Sequence, residues 1–447
     1  MRVGVATVDI TPRVGLPLMG NFRDDYASRG VHDPLCAKAI VFADPKGVKA
    51  AVLSVDLCML DRENVALMRR TIGQQCDVPP ENVLIHATHT HSGPATNDQY
   101  SFGMEFAPYR GDVDEALTKA ASAVTQANDR LANATLAVGY AQEDRLSFNR
   151  RLRRKDGSTQ MNWESLAPGF DPAQIDAPWG PIDPRVACLT VEQSGRLTAA
   201  VVNFALHPAI LAGDNWLYSA DYPGYLAEAL SRTIGGGFTC VFFNGCTGNV
   251  NHVDYREPQQ GRGYQMAQRV GYMLAVAAHE AINARVPVAA DRLAVSRQLV
   301  ALPRIQIDEA QREWCERVLD GARRNPLQGQ VDGLPDAFFA DLRLKMYRQQ
   351  QKPDEVEVMA IRVGEVALAG LPGENFCESG LEIRQRSPAR HTLVAGLAND
   401  AIGYMPRRDA FAQGGYEPTV GSTRYEPGAA ERLVDSAVSQ LEQLFST

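Results

Sequence analysis

The stretch VLIHATHTHSGP, residues 83–94, decides how the rest of the chain is understood. Its first half is an apolar run of strand chemistry, and its second half is a polar loop closed by Gly93 and Pro94. Side chains alternate across a strand, so His89 and His91 are expected on one side with Ile85 and Ala87, and His86 on the other. Three of the chain's 8 histidines fall within these six positions, 86–91. A histidine pair two apart at a strand end can deliver imidazole nitrogen to a metal or set a proton shuttle beside one. His86, on the opposite face, is assigned a structural role.

Working outward, apolar strand runs alternate with helix-periodic stretches: 50–56 before 62–75, 82–89 before 113–131, and 238–243 before 263–282. The runs 187–192 and 197–204 are joined across Ser194-Gly195-Arg196, and 356–361 and 366–369 across Val363-Gly364-Glu365, which predicts antiparallel hairpins. Together these signals predict an α/β fold: a layered, mixed β-sheet flanked by helices, with the site at the carboxyl ends of strands. No repeat of fixed period stands out, and 430–444 has helical apolar spacing. Two Pro- and Gly-bearing segments, 150–184 and 325–336, are expected to be excursions from a single domain covering 1–447, because strands of the same pattern continue on each side. The basic run Arg150, Arg151, Arg153, Arg154, Lys155 reads as a solvated hairpin turning at Asp156-Gly157, except at its first residue.

Composition narrows the function classes. The 447 residues are 45% hydrophobic and 22% charged, an ordinary globular balance. A net charge of -8, from 45 basic against 53 acidic residues, argues against a partner held through nucleic-acid phosphates or anionic lipid. No run approaches the ~20 apolar residues of a membrane helix, so no stable membrane insertion is expected. The amino-terminal MRVGVATVDITP lacks the apolar core of a secretory signal, and the 8 cysteines are dispersed without a CxxC pair. A cytoplasmic protein with neither disulfides nor a thiolate zinc site is therefore expected, in an oligomeric state that the sequence leaves open.

Three further segments place reactive side chains just past strand ends. VVNFALHPAIL holds His207, VALAGLPGENF holds Glu374 and LVAGLANDAIGYMPRRDAF holds Tyr404. Taken singly, each has a plain explanation as a strand-ending histidine, a helix N-terminal glutamate and a packing aromatic. With the 83–94 segment they supply imidazoles, a carboxylate and a phenol. Two His and one Glu with water in an open position make a catalytic Zn²⁺ shell, better than a thiolate or an all-oxygen Mg²⁺ site would be. The loop FFNGCTGNVNHVD offers Asn244, Asn249 and Asn251 to a ligand or to a neighbouring group. Dinucleotide, P-loop and GxSxG signatures are missing.

The ordered motifs GVATVDITP, THTHSGP, FNRR, NFALHP, SADYPGY, GCTGNVN, LPGENF and GLANDAIGYMPRRDAFAQGGYE resemble the neutral/alkaline non-lysosomal ceramidases in their N-terminal catalytic domain. The resemblance implies one zinc ion held by His89, His207, Glu374 and Tyr404. It further implies His91 as proton shuttle, and Arg150 and Tyr416 as the groups that hold or polarise an amide carbonyl attacked by metal-activated water. The chain departs from the family where Gly-Asp-Val-Ser-Pro-Asn becomes Gly248-Asn249-Val250-Asn251-His252. It also looks like a shorter member without the C-terminal β-sandwich domain. The expectation is a zinc-dependent amidohydrolase acting on a small-molecule linear amide, smaller or more polar than ceramide. Alternatives are a ceramidase proper, an ester or lactone hydrolase at the same metal, and a non-catalytic binding protein that kept the metal.

Overall fold

The computed structural model describes residues 1–23, 25–98, 106–235, 237–257, 260–322, 330–331, 334–351 and 354–446. One order of strands and helices occurs three times along it. In the first unit, strand Arg2–Asp9 pairs antiparallel with Cys36–Ala43, which pairs antiparallel with Lys49–Val55. Helix Arg62–Gln75 then leads to strand Val83–Ala87, laid parallel to Lys49–Val55, and helix Arg110–Asp129 follows. A parallel neighbour needs such a crossover, whereas the antiparallel pairs do not.

The second unit repeats the order with strands Thr135–Gln142, Arg185–Gln193 and Arg196–Phe204, helix Tyr222–Ile234, the parallel strand Thr239–Asn244 and helix Tyr264–Asn283. The third does so with Leu293–Leu302, Asp354–Val363 and Val366–Gly370, helix Cys377–Arg386, the parallel strand His391–Ala395 and helix Ala429–Phe445. Each sheet is mixed, as expected, but there are three of them.

Apolar residues on both strand faces explain the packing. In Lys49–Val55, Ala50 and Val52 enter a core shared by all three sheets, while Ala51, Leu53 and Val55 pack under the first unit's helices. Ala199 and Val201 join the same shared core from the second sheet, and Met359 and Ile361 from the third. The opposite faces, with Ala200 and Val202 or Val358 and Ala360, meet their own helices. The units even share a close approach. A Cβ on Gly4 would lie 1.8 Å from the Ala127 carbonyl oxygen, and one on Gly139 1.7 Å from that of Ala281, so the first strand of the first and of the second unit needs glycine under its last helix.

The three units are hidden in the sequence by unequal insertions at one equivalent place, between their first and second strands: 10–35, 143–184 and 303–353. The excursion expected at 150–184 is therefore part of the second insertion. It is ordered as a three-stranded sheet of Arg151–Arg154, Thr159–Met161 and Ile175–Pro178. Its hairpin is not solvated throughout, because Arg151 is buried. Of the loop expected at 325–336, residues 325–329, 332 and 333 lie outside the described residues. The third insertion carries helices Glu309–Ala322 and Asp336–Gln349. Among the described residues no helix is long and apolar enough to cross a membrane.

Candidate active site

The ends of the three sheets that carry the parallel strands' carboxyl termini meet over one cavity of about 510 Å³. His89, His91, His207, Glu374, Tyr404, Arg150 and Tyr416 all line it. The repeat explains how distant residues converge. His207 follows strand Arg196–Phe204, and Glu374 follows its counterpart Val366–Gly370. Glu374 and Tyr404 are then placed side by side by a two-residue parallel pairing, Glu374↔Tyr404 and Asn375↔Met405.

His89 and His91 do converge, but strand alternation is not the reason. The strand ends at Ala87, and His89 lies beyond it at φ 76, in the left-handed region. That turn is held by the His89 amide donating to the Leu57 carbonyl at 2.9 Å. His86 stays in the strand and turns inward, where its Nδ1 pairs with the Gly396 carbonyl at 3.2 Å and its Nε2 accepts the Asn244 amide at 3.1 Å.

The Nε2 atoms of the other three histidines point at one another. The distances are 3.0 Å for His89 to His207, 3.3 Å for His89 to His91 and 3.1 Å for His207 to His91. Glu374 Oε2 is 3.3 Å from His89 Nε2 and 3.9 Å from His207 Nε2, and it is buried without a hydrogen bond. The far nitrogens are occupied. His89 Nδ1 faces the Cys58 carbonyl at 2.6 Å and His207 Nδ1 the Thr247 carbonyl at 3.3 Å, which puts a proton on each Nδ1 and turns each Nε2 toward the point of convergence. Three imidazoles this close cannot all carry protons. Burial opposes charge on His89, but Cys58 and Glu374 outweigh it and raise the group to about 10. Burial, and next the charge of His89, hold His91 and His207 well below the usual histidine range. Donor atoms of His89, His207 and Glu374 all lie within 4.8 Å of one another, a nitrogen and oxygen set that fits Zn²⁺. Cys58 Sγ lies 3.7 Å from His89 Nδ1, and Cys58, His89 and His91 form a second set of donor atoms within 4.8 Å of one another.

Beside the cage sits a buried cation. Arg150 donates from Nε to Glu417 Oε1 at 2.7 Å, and its Nη2 is sealed from solvent without a partner. Its guanidinium carbon lies 5.1 Å from the Tyr404 ring centroid and 5.3 Å from that of Trp163. Burial opposes its charge, yet Tyr404 and Glu417 outweigh this and raise its pKa. Burial, reinforced by Glu374, pushes the Tyr404 phenol well above its usual value. Tyr416 packs edge-on against Tyr404, with centroids 5.2 Å apart.

Glu417 was not among the expected site residues. This carboxylate is fully buried and also binds Arg151 Nη1 at 2.8 Å, so it anchors both arginines. Its place directly after Tyr416 was the available signal. Nor do the three asparagines of the glycine loop wait for a ligand. Asn244 donates to the Thr88 carbonyl, Asn249 bridges the Cys377 amide and Glu378, and Asn251 pairs with Asn162. Asn244 and Asn249 fasten the loop to the first and third units, and Asn251 fastens it to the second unit's own insertion.

Comparisons with known proteins identify the family and the fold. The neutral/alkaline non-lysosomal ceramidase family, N-terminal part, matches residues 1–252. The chain is 24% identical to the neutral ceramidase of Pseudomonas aeruginosa over 99% of its own length and 72% of that protein. It is 24% identical to the neutral ceramidase of Mycobacterium tuberculosis over 95% of its length and 74% of that one. It is 27% identical to neutral ceramidase B of Dictyostelium discoideum over 53% of this chain and 32% of its relative. The crystal structure of the Pseudomonas enzyme superposes with a TM-score of 0.75 at 22% identity, covering 99% of this chain and 74% of that one, and so shares the fold. With more than half of its residues matched by the family and its three sheets superposed on a solved relative, the chain belongs to the neutral/alkaline non-lysosomal ceramidases.

Proposed function

We propose that this protein is a zinc-dependent amidohydrolase that cleaves the linear amide bond of N-acyl compounds with an apolar acyl part. One observation carries the proposal: three imidazole Nε2 atoms and a carboxylate oxygen without a hydrogen bond converge from all three units beside a buried arginine whose Nη2 is unpartnered. His89, His207, Glu374 and Tyr404 would hold the ion. Zn²⁺, when bound, would lower the pKa of a water toward ≈ 7 and polarise the carbonyl. His91, uncharged in its buried setting, is placed to accept a proton at Nε2 and to deliver it to the departing amine nitrogen. Arg150 Nη2, fixed through Glu417, is aimed to donate to the carbonyl oxygen as negative charge develops there, and Tyr416 flanks the same spot.

The cavity wall bears on the substrate. It draws Leu18, Phe22, Trp163, Ile210, Phe338 and Leu342 from different parts of the fold, and its volume lies in the usual range of small-molecule sites, ~300–1,000 Å³. That supports a substrate of modest size, while its apolar surface favours an acyl chain over a more polar group. The dispersed thiols suit a cytoplasmic setting, which remains part of the proposal. Metal analysis of the purified chain, followed by turnover of N-acyl amides from acetyl to long-chain, tests the reading. One zinc per chain with amide cleavage supports it, and a metal-loaded chain that cleaves matched esters but no amide contradicts it.

A further inference from the structure

Each imidazole of the cage is turned by what its far nitrogen meets. For His89 and His207 that is a backbone carbonyl, whereas His91 Nδ1 meets a side chain, Asn21 Oδ1, at 3.4 Å. Asn21 lies in the first insertion and lines the cavity. The other end of its amide decides which atom faces the ring. Nδ2 donates to the Leu211 carbonyl at 3.0 Å, which an oxygen could not do, so Oδ1 is left for His91. An amide oxygen only accepts. The contact therefore places the proton of a neutral His91 ring on Nδ1 and keeps Nε2 as the lone pair, 3.1 Å from His207 Nε2 and 3.3 Å from His89 Nε2.

The neighbours of Asn21 grip the same histidine. Gly20 lies at φ 103, and a Cβ there would fall 2.4 Å from His91 Cγ, so the ring rests directly on glycine backbone. Arg23 is buried and donates from Nη2 to the His91 carbonyl at 3.0 Å, from Nε to the Asn215 carbonyl at 3.0 Å and from Nη1 to the Asn21 carbonyl at 3.3 Å. The Met19 amide bonds the Gly93 carbonyl at 3.1 Å. Residues 19–23 thus hold the backbone, the ring face and the far nitrogen of one residue. Tying an insertion to the scaffold takes only the backbone contacts; seating the ring and selecting its tautomer take the other two.

Proton transfer makes that selection matter. A neutral ring with its proton on Nε2 has no lone pair there to accept another, and a ring free to turn loses its alignment with the departing nitrogen. A base oriented by a third group avoids both losses. We propose that Asn21 is a positioning residue: through Nδ1 it holds His91 in the tautomer whose Nε2 takes a proton from the attacking water and hands it to the amine nitrogen as the C–N bond breaks. The Nδ1 proton stays on its bond to Asn21 throughout. The inference rests on the proposed function in taking His91 as the proton carrier.

The test uses the zinc-loaded full chain with two readouts. The first is the nitrogen NMR spectrum of protein carrying ring-labelled histidine, with His91 assigned by its loss in His91→Ala. His91 is expected with its proton on Nδ1 in the wild type and in Asn21→Asp, which keeps an acceptor, and with that preference lost in Asn21→Leu. The second compares N-octanoyl-ethylamine, whose amine must be protonated to leave, with the para-nitroanilide of octanoic acid, whose leaving group tolerates negative charge. Asn21→Leu should lower kcat for the ethylamide about tenfold, with zinc content unchanged. It should change the anilide by less than about threefold, as a defect confined to proton transfer requires. Asn21→Ala is measured in the same way if the leucine variant does not fold. A wild-type His91 with its proton on Nε2, or a tautomer unmoved in Asn21→Leu, overturns the inference. So does an equal loss on both substrates while His91→Ala tells them apart, since that is the mark of a structural role alone. A tautomer that follows Asn21 while His91→Ala costs no ethylamide turnover upholds the seating of the ring by Asn21 and counts against the proposed function instead.

Discussion

At the scale of single residues, three histidines from one short segment take different roles because the chain turns between them. His91 shares the cage geometry but is assigned the proton, so His91→Ala should lower kcat by about 10²–10⁴-fold while zinc content stays at the wild-type level. Loss of zinc in that variant would instead make His91 a ligand. His86 makes a different prediction. Burial lowers its pKa to about 4, below the 6.5 of an exposed histidine, so the unfolded chain binds more protons between these values. Its contribution is complete above pH 6.5 and is lost as pH falls toward 4, a change of about 3 kcal/mol across the window. Urea unfolding at pH 7 and pH 4.5 should show a smaller acid loss in His86→Gln than in the wild type, and an equal loss would contradict the assignment. The structural role of His86 could be inferred from strand alternation. The turn at His89 could not, because a non-glycine residue at positive φ leaves no mark in composition. Glu417 was hidden for a similar reason, since nothing local separates a buried loop carboxylate from an exposed one.

At the scale of elements, the strands and hairpins followed from period-2 apolar runs and their turn residues, and their observed bounds lie within a few residues of those expected. Helix Tyr222–Ile234 was missed because Tyr222-Pro223-Gly224 resembles a turn. In fact Pro sits in its first turn and Asp221 caps it, accepting the Tyr222 amide at 2.6 Å and those of Ile210 and Leu211 at 3.0 Å. The glycine loop shows how one element positions another. A Cβ on Gly248 would lie 2.3 Å from the Glu374 carbonyl oxygen, backbone that cannot yield without moving the carboxylate. Gly248→Ala should therefore destabilise the chain by about 1–3 kcal/mol and lower its zinc occupancy at limiting metal, with an unchanged far-UV circular dichroism spectrum. Wild-type occupancy in that variant would show that the close packing does not position Glu374.

At the scale of the molecule, three sheets share one core and three insertions of unequal length wall one cavity, with Phe22 from the first, Trp163 from the second and Phe338 from the third. The scaffold was readable as α/β, but its threefold plan was not, because insertions from 10–35 to 303–353 erase any fixed period. Apolar residues on both strand faces likewise conceal which face meets the shared core. The same plan brings His89 from the first unit, His207 from the second and Glu374 from the third to one point, so the metal assignment is a claim about the whole fold. X-ray absorption at the zinc edge of the purified protein, with and without His207→Ala, tests it most directly. The account predicts one zinc per chain in a mixed imidazole and oxygen shell without sulfur, and loss of that ion in the variant. A sulfur-containing shell, or zinc retained unchanged when His207 is removed, would contradict it.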